Sequence, residues 1–298
     1  MNTPNLSHLK VFVAIVDTGG FSSAAPKLGL TQPTVSTHLR HLEAELRTTL
    51  IDRTGKALRL TASGEVLLRY ARQILALSDE ALDQLDRLST KPVAGTLRIG
   101  GTTTAGERIL PELLQGFLQH YPGVDVDLCV SNTTDIVRQV LDGALSMALI
   151  AADASQAALI SRPAGHENQV VIVADTHPLA GAAAEPALLR DTTVLMREPG
   201  SSTRRYQEDL FARWRIPGAT ISSIASTSAI VNAVACGLGI ACLPAVAVRD
   251  ALAARRVARI HLDPAPPDRP MTLIHKHDRP LSHLEELFLA HLEESTPQ

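Results

Sequence analysis

Apolar residues at the start of the chain recur at helical spacing and predict three short helices. The first ends at Gly19-Gly20, and its apolar residues are Leu6, Leu9, Phe12, Val13 and Val16. A second helix runs to Leu28, and Gly29 then permits a sharp turn. The third is predicted to begin after the N-cap Thr31, and its apolar stripe consists of Val35, Leu39, Leu42 and Leu46. This order of short helices around a tight turn is typical of a helix-turn-helix.

A fourth and much longer helix is predicted over residues 62–88, with Thr61 as its N-cap. Its apolar residues form three rows: Leu68, Leu75 and Leu82; Leu67, Ile74, Ala81 and Leu88; and Ala71 and Leu85, interrupted by Ser78. Such a wide apolar stripe on one helix favours a partner helix, as in a dimer. The alternative is that this stripe packs against a later domain of the same chain. Residues 89–95 contain Pro92 and Gly95 and predict a hinge.

Beyond residue 96 the pattern changes to short apolar strands that alternate with helices. The segments TLRIGG, VDVDLCV and SMALI, with a helix in each interval, predict β-α-β-α-β and therefore a parallel sheet covered by helices. A second set of strands, QVVIVA, TTVLM, ISSIAS and GIACLP, alternates with helices at 204–214 and 229–236. The chain closes with the strand MTLIHK and a helix over 281–292. The sequence thus predicts an α+β head and an α/β body.

The distribution of charge separates these two parts. The 298 residues carry a formal net charge of −3, yet residues 1–60 contain seven Lys and Arg against four Asp and Glu, which leaves −6 for the remainder. A basic head on an acidic body indicates that only the head binds a polyanion. Lys10 and Asp17 interrupt the first segment, and no apolar run of about 18 residues follows. We therefore expect a cytoplasmic protein with no signal peptide and no membrane partner.

Short polar side chains near the start of the third helix are candidates for contacting DNA. They are Thr31, Gln32, Pro33, Thr34, Ser36, Thr37 and Arg40. Gln can bond adenine, Ser and Thr can bond bases or phosphates, and Arg prefers guanine or phosphate. Arg53, Lys56 and Arg59 then surround Gly55 and predict a wing against the sugar–phosphate backbone. The alternative, a three-helix bundle beside a solvated turn, is disfavoured by the order of these features.

Three hydroxyl-rich segments lie where predicted strands of the body give way to helices. They are Thr102-Thr103-Thr104, Ser131-Asn132-Thr133-Thr134 and Gly200-Ser201-Ser202-Thr203-Arg204. In open α/β sheets ligands bind beyond the carboxyl ends of strands. Hydroxyls, backbone N–H groups and an Arg suit a carboxylate, sulfate or phosphate. Helix capping alone is the alternative for each segment, but three segments at equivalent positions favour a site for a small anion.

No constellation in the sequence indicates catalysis, a metal or a cofactor. The eleven histidines are scattered, and His275 and His277 on one strand lack a third ligand. Gly237-x-Gly239 lacks the third glycine of a dinucleotide-binding loop. An enzyme or a transport binding protein with a helical head is therefore the weaker hypothesis. The odd number of cysteines favours reduced structural thiols over a redox sensor; they are Cys129, Cys236 and Cys242.

The head resembles the winged helix-turn-helix of LysR-type transcriptional regulators. That family's pattern is F-S-x-A-A, L-x-x-[ST]-Q-P-x-V-S, L-E-x-x-L-G, L-F-x-R and L-T-x-A-G. The matching residues here are Phe21, Ser22, Ala24, Ala25, Leu28, Gln32, Pro33, Val35, Ser36, Leu42, Glu43, Leu46, Leu50, Arg53, Leu60, Thr61 and Gly64. The chain departs from the pattern at Arg47, Ile51 and Ser63, and Thr37 stands where a basic residue is common.

The body resembles the effector domain of the same family, which has the two-lobed fold of periplasmic solute-binding proteins. EPGSSTR and GLGIACLP resemble its second-lobe motifs. The resemblance implies a winged head over 1–61, a linker and dimerisation helix over 62–88, a hinge over 89–95 and an effector domain over 96–298. Within that domain it implies a first lobe at 96–161 and 266–298 and a second at 162–265, so the final strand should pair with the first lobe.

The resemblance also implies a function. We expect a DNA-binding transcriptional regulator, not an enzyme, that responds to a small anionic metabolite held between the lobes by the hydroxyl-rich segments and Thr227. EPGSSTR is similar to versions found in regulators of sulfur assimilation and carbon fixation, which also implies an anion. The expected partners are double-stranded promoter DNA, RNA polymerase and further copies of the chain, in a homodimer through the linker helix or a homotetramer. No cofactor is expected.

Overall fold

The computed structural model describes residues 4–52, 58–87, 92–152, 156–216 and 222–295. The chain divides into two compact units, Met1–Thr90 with Asp142–Ala144 and Lys91–Leu141 with Leu145–Gln298. We call them the head unit and the body unit. None of the described helices has both the length and the apolar character needed to cross a membrane.

The head unit contains three short helices and a small hairpin. They are α1 (Leu6–Asp17), α2 (Phe21–Lys27), α3 (Gln32–Leu46), β1 (Ile51–Asp52) and β2 (Arg59–Leu60), with β1 and β2 paired antiparallel. The apolar stripe predicted for α3 forms the core, where Val35, Leu39 and Leu42 are fully buried. Thr31 caps α3 as predicted, since its Oγ1 accepts the N–H of Thr34 at 3.4 Å.

Helix α4 (Ala62–Arg87) begins after Thr61, whose Oγ1 accepts the N–H of Gly64 at 3.0 Å. Glycine is needed at position 64 because a Cβ there would overlap the backbone carbonyl oxygen of Leu50. The start of the helix is therefore packed closely against the backbone just before β1. The predicted final residue of this helix, Leu88, lies outside the described residues.

The apolar rows of α4 divide between two faces. One face belongs to the core of the head unit, where α4 contacts α1; its residues are Leu67, Leu68, Ala71 and Leu75. This corrects the expectation that all three rows await a partner, because α1 lies alongside the helix and covers part of them. A second apolar face is open: Val66, Tyr70, Ile74 and Leu77 are 47%, 58%, 39% and 55% exposed.

The first lobe of the body unit is built on a five-stranded sheet with strand order β4-β3-β5-β13-β6. The strands are β3 (Ala94–Thr102), β4 (Gly123–Ser131), β5 (Met147–Ile150), β6 (Leu159–Glu167) and β13 (Arg269–Lys276). β3 pairs in parallel with β4 and β5, as the β-α-β-α-β pattern predicts. β13 lies antiparallel between β5 and β6, so the end of the chain does return to this lobe.

Helices α5 (Leu110–His120), α6 (Thr133–Leu141) and α10 (His283–Ser295) cover this sheet, and a π-helical turn at Ala105–Ile109 precedes α5. The second lobe has a four-stranded sheet with order β11-β7-β12-β8 and a separate parallel pair of β9 and β10. Its strands are β7 (Gln169–Ala174), β8 (Ala183–Ala184), β9 (Leu195–Arg197), β10 (Ser222–Ile224), β11 (Ala241–Pro244) and β12 (Val257–Leu262). Its helices are α7 (Ser202–Arg213), α8 (Thr227–Ala235) and α9 (Ala245–Ala253), with a 3₁₀ turn at Pro186–Leu189.

Four of these strands and helices, β6, β8, α9 and β12, are not predicted by the sequence pattern. Pro163 and Gly165 interrupt the apolar alternation of β6, and both residues are uncommon inside strands. β6 nevertheless pairs with β13 as far as Glu167, which lies opposite Arg269. The chain therefore passes from the first lobe to the second at Asn168, a few residues after the boundary expected at 161–162.

Candidate functional sites

The DNA-contacting residues predicted on α3 lie on the side opposite its buried stripe. Gln32, Pro33 and Arg40 are exposed, as is Thr31 at the N-cap, while Thr34, Ser36 and Thr37 are half-buried. Arg40 lies along the helix surface, because its Nη2 donates to Thr37 Oγ1 at 3.2 Å and its Nε to the carbonyl oxygen of Ser36 at 3.4 Å. Arg53 and Lys56 of the predicted wing lie outside the described residues, whereas Arg59 is exposed on β2.

In the body unit, the three hydroxyl-rich segments meet around one small cavity between the lobes. Its lining residues are Thr102, Thr103, Thr104, Asn132, Thr133, Arg197, Ser201, Ser202, Thr203 and Arg269. The cavity offers ≈ 10 Å³ to the centre of a water-sized sphere. That is room for about one water molecule, so a larger molecule enters only if side chains or lobes move apart.

Two helix N-termini approach each other at this cavity. The N–H of Ser202 at the start of α7 donates to Thr133 Oγ1 at 3.1 Å, and the N–H of Thr134 in α6 donates to the carbonyl oxygen of Gly200 at 3.2 Å. Gly200 has φ +89°, a left-handed conformation that favours glycine and turns its carbonyl towards α6. The positive ends of both helix dipoles therefore converge where the lobes touch, which favours negative charge.

Arg197, at the end of β9, is the most central cation of the site. Its side chain is 2% exposed, and its guanidinium donates to Glu198 from Nε at 2.7 Å and from Nη2 at 2.9 Å. Nη1 donates to Thr227 Oγ1 at 2.6 Å, and Nη2 donates to Thr103 Oγ1 at 3.1 Å. Arg197 therefore joins a first-lobe hydroxyl to a second-lobe hydroxyl while its charge is neutralised by the neighbouring residue.

Arg269, at the start of β13, is the second cation. Its guanidinium forms a buried ion pair with Glu167, directly opposite on β6. Nη1 and Nη2 also donate to Thr203 Oγ1 at 3.4 and 3.3 Å. Burial raises the pKa of Glu167, and the charge of Arg269 opposes that rise. Glu167 Oε2 is buried and has no hydrogen-bond partner among the described residues.

Five residues named in the sequence analysis for this site do not line the cavity; one of them, Thr134, donates from Oγ1 to the carbonyl oxygen of Gly200 at 3.2 Å. Ser131 Oγ donates to Asp135 at 3.4 Å, Gly200 supplies only its carbonyl, and Thr227 touches the cavity indirectly by accepting from Arg197. Arg204 was the cation expected here, but its Nε donates to Glu208 at 2.7 Å and its Nη1 to the carbonyl oxygen of Arg197 at 2.7 Å. The i,i+4 spacing of Arg204 and Glu208 on α7 directs the guanidinium along the helix surface instead.

Sequence reasoning missed Arg197 and Arg269, which both line the cavity. Arg197 ends the strand segment VLMR directly before EPG, so a charge at the carboxyl end of a strand is the signal that indicates it. Arg269 has no comparable local signal, because it depends on the long-range pairing of β13 with β6. With both arginines, the site contains cations, hydroxyls and helix N-termini, and this set can bind an oxyanion.

The three cysteines are free thiols in different environments. Cys242 is buried in the second-lobe core, and burial raises its pKa, so it stays a neutral thiol. Cys129 is half-buried and its Sγ donates to Gln139 Oε1 at 3.5 Å, whereas Cys236 is exposed. Structural packing therefore accounts for Cys242.

Comparison with known proteins places the head and the body in one family. The family model described as "Bacterial regulatory helix-turn-helix protein, lysR family" matches residues 6–65, and the model described as "LysR substrate binding domain" matches residues 90–297. The transcriptional regulator CbbR of Rhodospirillum rubrum is 32% identical over 288 residues, which cover 97% of this chain and 95% of the relative. CysL of Bacillus subtilis (strain 168) is 29% identical over 286 residues, which cover 95% of each chain.

A solved structure supports the fold of the body unit. The regulatory domain of Synechocystis PCC6803 CcmR, in complex with 2-PG, is 29% identical and superposes with a TM-score of 0.63 over 68% of this chain and 98% of that one. The relatives are transcriptional regulators rather than enzymes. The chain belongs to the LysR family of DNA-binding transcriptional regulators that bind small-molecule effectors.

Proposed function

We propose that this LysR-family regulator binds promoter DNA as a homodimer and responds to a small anion held between the lobes of its body unit. The cavity between the lobes carries the proposal, because two arginines, converging hydroxyls and two helix N-termini line it. Each of these groups favours an oxyanion. The complex of the CcmR regulatory domain with 2-PG supports a small-molecule effector in this fold.

Both lobes contribute to the cavity, so a bound anion links the effector site to the angle between the lobes. A ligand that prefers one angle shifts the population towards it. In a dimer such a shift alters the spacing of the two heads, and hence the fit and bending of the DNA that they contact. The open apolar face of α4 supports the dimer, because four large side chains on it are at least 39% exposed.

The anion site is tested by titrating the protein with sulfate in a chloride buffer by calorimetry. Thr103→Val and Ser201→Ala remove hydroxyls that line the cavity, and each should weaken sulfate binding about tenfold, the usual value of a hydrogen bond to a charged group. Arg205→Ala is the control, because Arg205 is an exposed cation on helix α7 that does not line the cavity. No sulfate binding by the wild type, or wild-type affinity in both hydroxyl variants, would refute the anion site.

The DNA-contacting surface is tested with a duplex that the wild-type protein selects from a random pool. Arg40→Ala should weaken binding by about 1–3 kcal/mol if Arg40 contacts a base, and Arg53→Ala should reduce the salt dependence by about one released counterion if Arg53 contacts a phosphate. Lys10→Ala, an exposed charge on α1, is the control. If neither arginine variant differs from the control in fluorescence-anisotropy titrations, the surface is wrongly assigned.

A further inference from the structure

The carboxylate of Glu198 already occupies the edge of Arg197 that an effector acid group would use. Its two oxygens accept from Nε at 2.7 Å and Nη2 at 2.9 Å, the bidentate geometry in which Arg binds acids. Nη2 also donates to Thr103 Oγ1, a cavity-lining group, so this edge lies beside the cavity. We propose that Glu198 competes with the effector for Arg197 and thereby restricts the site to effectors with a doubly charged oxyanion, a phosphoryl or sulfate group. This proposal rests on the anion site proposed above.

Glu198, rather than Glu167, is the carboxylate that can yield its arginine. The side chain of Glu198 is 19% exposed, whereas that of Glu167 is 4% exposed. Glu198 can therefore rotate its charge into water, whereas Glu167 would remain buried without its partner, which is strongly unfavourable. Arg197, at 2% exposure, cannot follow Glu198 outward and stays beside Thr103 and Thr227.

The competition sets a threshold on the charge of the ligand. A monocarboxylate would replace Glu198 with the same chemical group. Glu198, however, directly follows Arg197 in the chain and therefore has a high effective concentration beside it. The apparent affinity for any anion is reduced by the fraction of time that Arg197 is free. A doubly charged phosphoryl or sulfate group gains a second charge and further oxygens, which can accept from the cavity hydroxyls and from the first turn of α7.

The test compares three anions, sulfate, methyl phosphate and acetate, by calorimetry with the full-length protein. The wild type should bind sulfate or methyl phosphate and should bind acetate at least about tenfold more weakly. Glu198→Gln should tighten binding of acetate and of the doubly charged anions about tenfold or more, because the same competitor is removed in each case. Asp209→Asn, which removes an exposed charge on α7, the helix that follows Glu198 in the chain, is the control and should leave all affinities unchanged.

The sign of the change separates competition from a positioning role. If Glu198 only orients Arg197, Glu198→Gln weakens every anion, and that result or no change overturns the proposal. Equal wild-type affinity for acetate and sulfate overturns the charge threshold. Binding of methyl phosphate assigns the site to a phosphorylated or sulfated metabolite, and binding of sulfate alone assigns it to the free ion; both agree with the proposal.

Two measurements keep the test independent of other failures. If Glu198→Gln is unstable without ligand, the rise of its melting temperature with added sulfate is compared with that of the wild type, and a rise no larger than the wild type's overturns the proposal. Glu198→Asp keeps the charge but shortens the reach, and should give intermediate affinities. Failure of the wild type to bind any of the anions refutes the anion site itself. Wild-type binding that Ser201→Ala weakens, with no gain from Glu198→Gln, refutes only the competition.

Discussion

Replacing Arg269 with methionine isolates the contribution of its buried ion pair with Glu167, which joins two neighbouring strands of the first lobe. Arg269→Met keeps most of the length of the side chain but leaves Glu167, 4% exposed, without its partner. Removing one member of a buried pair costs about 3–5 kcal/mol because the remaining charge is uncompensated. We expect the free energy of unfolding to fall by about this amount while Glu167 stays charged. Uptake of a proton by Glu167 removes the isolated charge and reduces the loss.

The same variant should acquire a characteristic pH dependence. Burial raises the pKa of Glu167 from 4.5, and Arg269 is the main group that opposes this rise; without Arg269, only the smaller effect of Gln169 opposes burial. The folded variant then keeps a proton that the unfolded chain releases. The stabilisation that this neutral carboxyl gives to the folded state is fully present below pH 4.5. It is lost, by about 1.4 kcal/mol per pH unit, as the pH rises towards the raised pKa of the folded state. Arg269→Met should therefore be less stable at pH 8 than at pH 6.

Urea unfolding at pH 6 and pH 8 measures both effects, with the fluorescence of Trp214, the sole tryptophan and 8% exposed in the second-lobe core, as the signal. Arg138→Met is the control, because Arg138 pairs with Asp135 at 67% and 39% exposure and should cost less than about 1 kcal/mol. Adding Glu167→Gln to Arg269→Met should recover stability by removing the isolated charge. A cost below about 1 kcal/mol for Arg269→Met, equal at both pH values, would contradict this account of the pair.

Three further predictions concern other parts of the chain. Gly64→Ala should destabilise the head unit by about 1–3 kcal/mol in thermal unfolding, because its Cβ overlaps a fixed carbonyl oxygen, whereas Ser63→Ala, at an exposed position, should not. Burial lowers the pKa of His275 below 6.5, so the folded state keeps a neutral ring and stability should fall as the pH drops below 6.5. His275→Leu should remove that part of the acid dependence in urea unfolding, and His277→Leu, at an exposed position, should retain it. Leu77→Glu should convert the dimer to monomer in sedimentation equilibrium, and an unchanged dimer would exclude the open face of α4 as the interface.

The sequence predicts the head well because its signals are local. Thr31 and Thr61 cap the helices that follow them, and the stripe of α3 becomes the core, since both effects depend on residues within one or two turns. The division of the α4 rows is less predictable, because Ala71 is buried by α1, which lies far away in sequence. Spacing along one helix identifies an apolar row but not the surface that covers it.

The sequence indicates the hydroxyl-bearing residues that line the cavity but not the two arginines that line it. Ser201 and Thr133 lie where a strand gives way to the next helix, so the general position of ligands in α/β sheets locates them. Arg269 meets Glu167 only through strand pairing between residues 102 positions apart. Arg204 has the expected position at the start of α7, but the nearby Glu208 and the carbonyl of Arg197 determine where its guanidinium points. Position along a chain does not fix the rotamer of a long side chain.

The single residue between β6 and β7 has a mechanical consequence. Asn168 alone connects these strands, and its carbonyl oxygen accepts the N–H of Ala245 at 2.8 Å, while residues 263–268 make the return connection. So short a link allows the lobes to pivot but not to slide. Arg269 lies opposite Glu167, next to that pivot. Because the cavity lies close to this pivot, a small displacement there produces larger displacements at the far ends of the lobes.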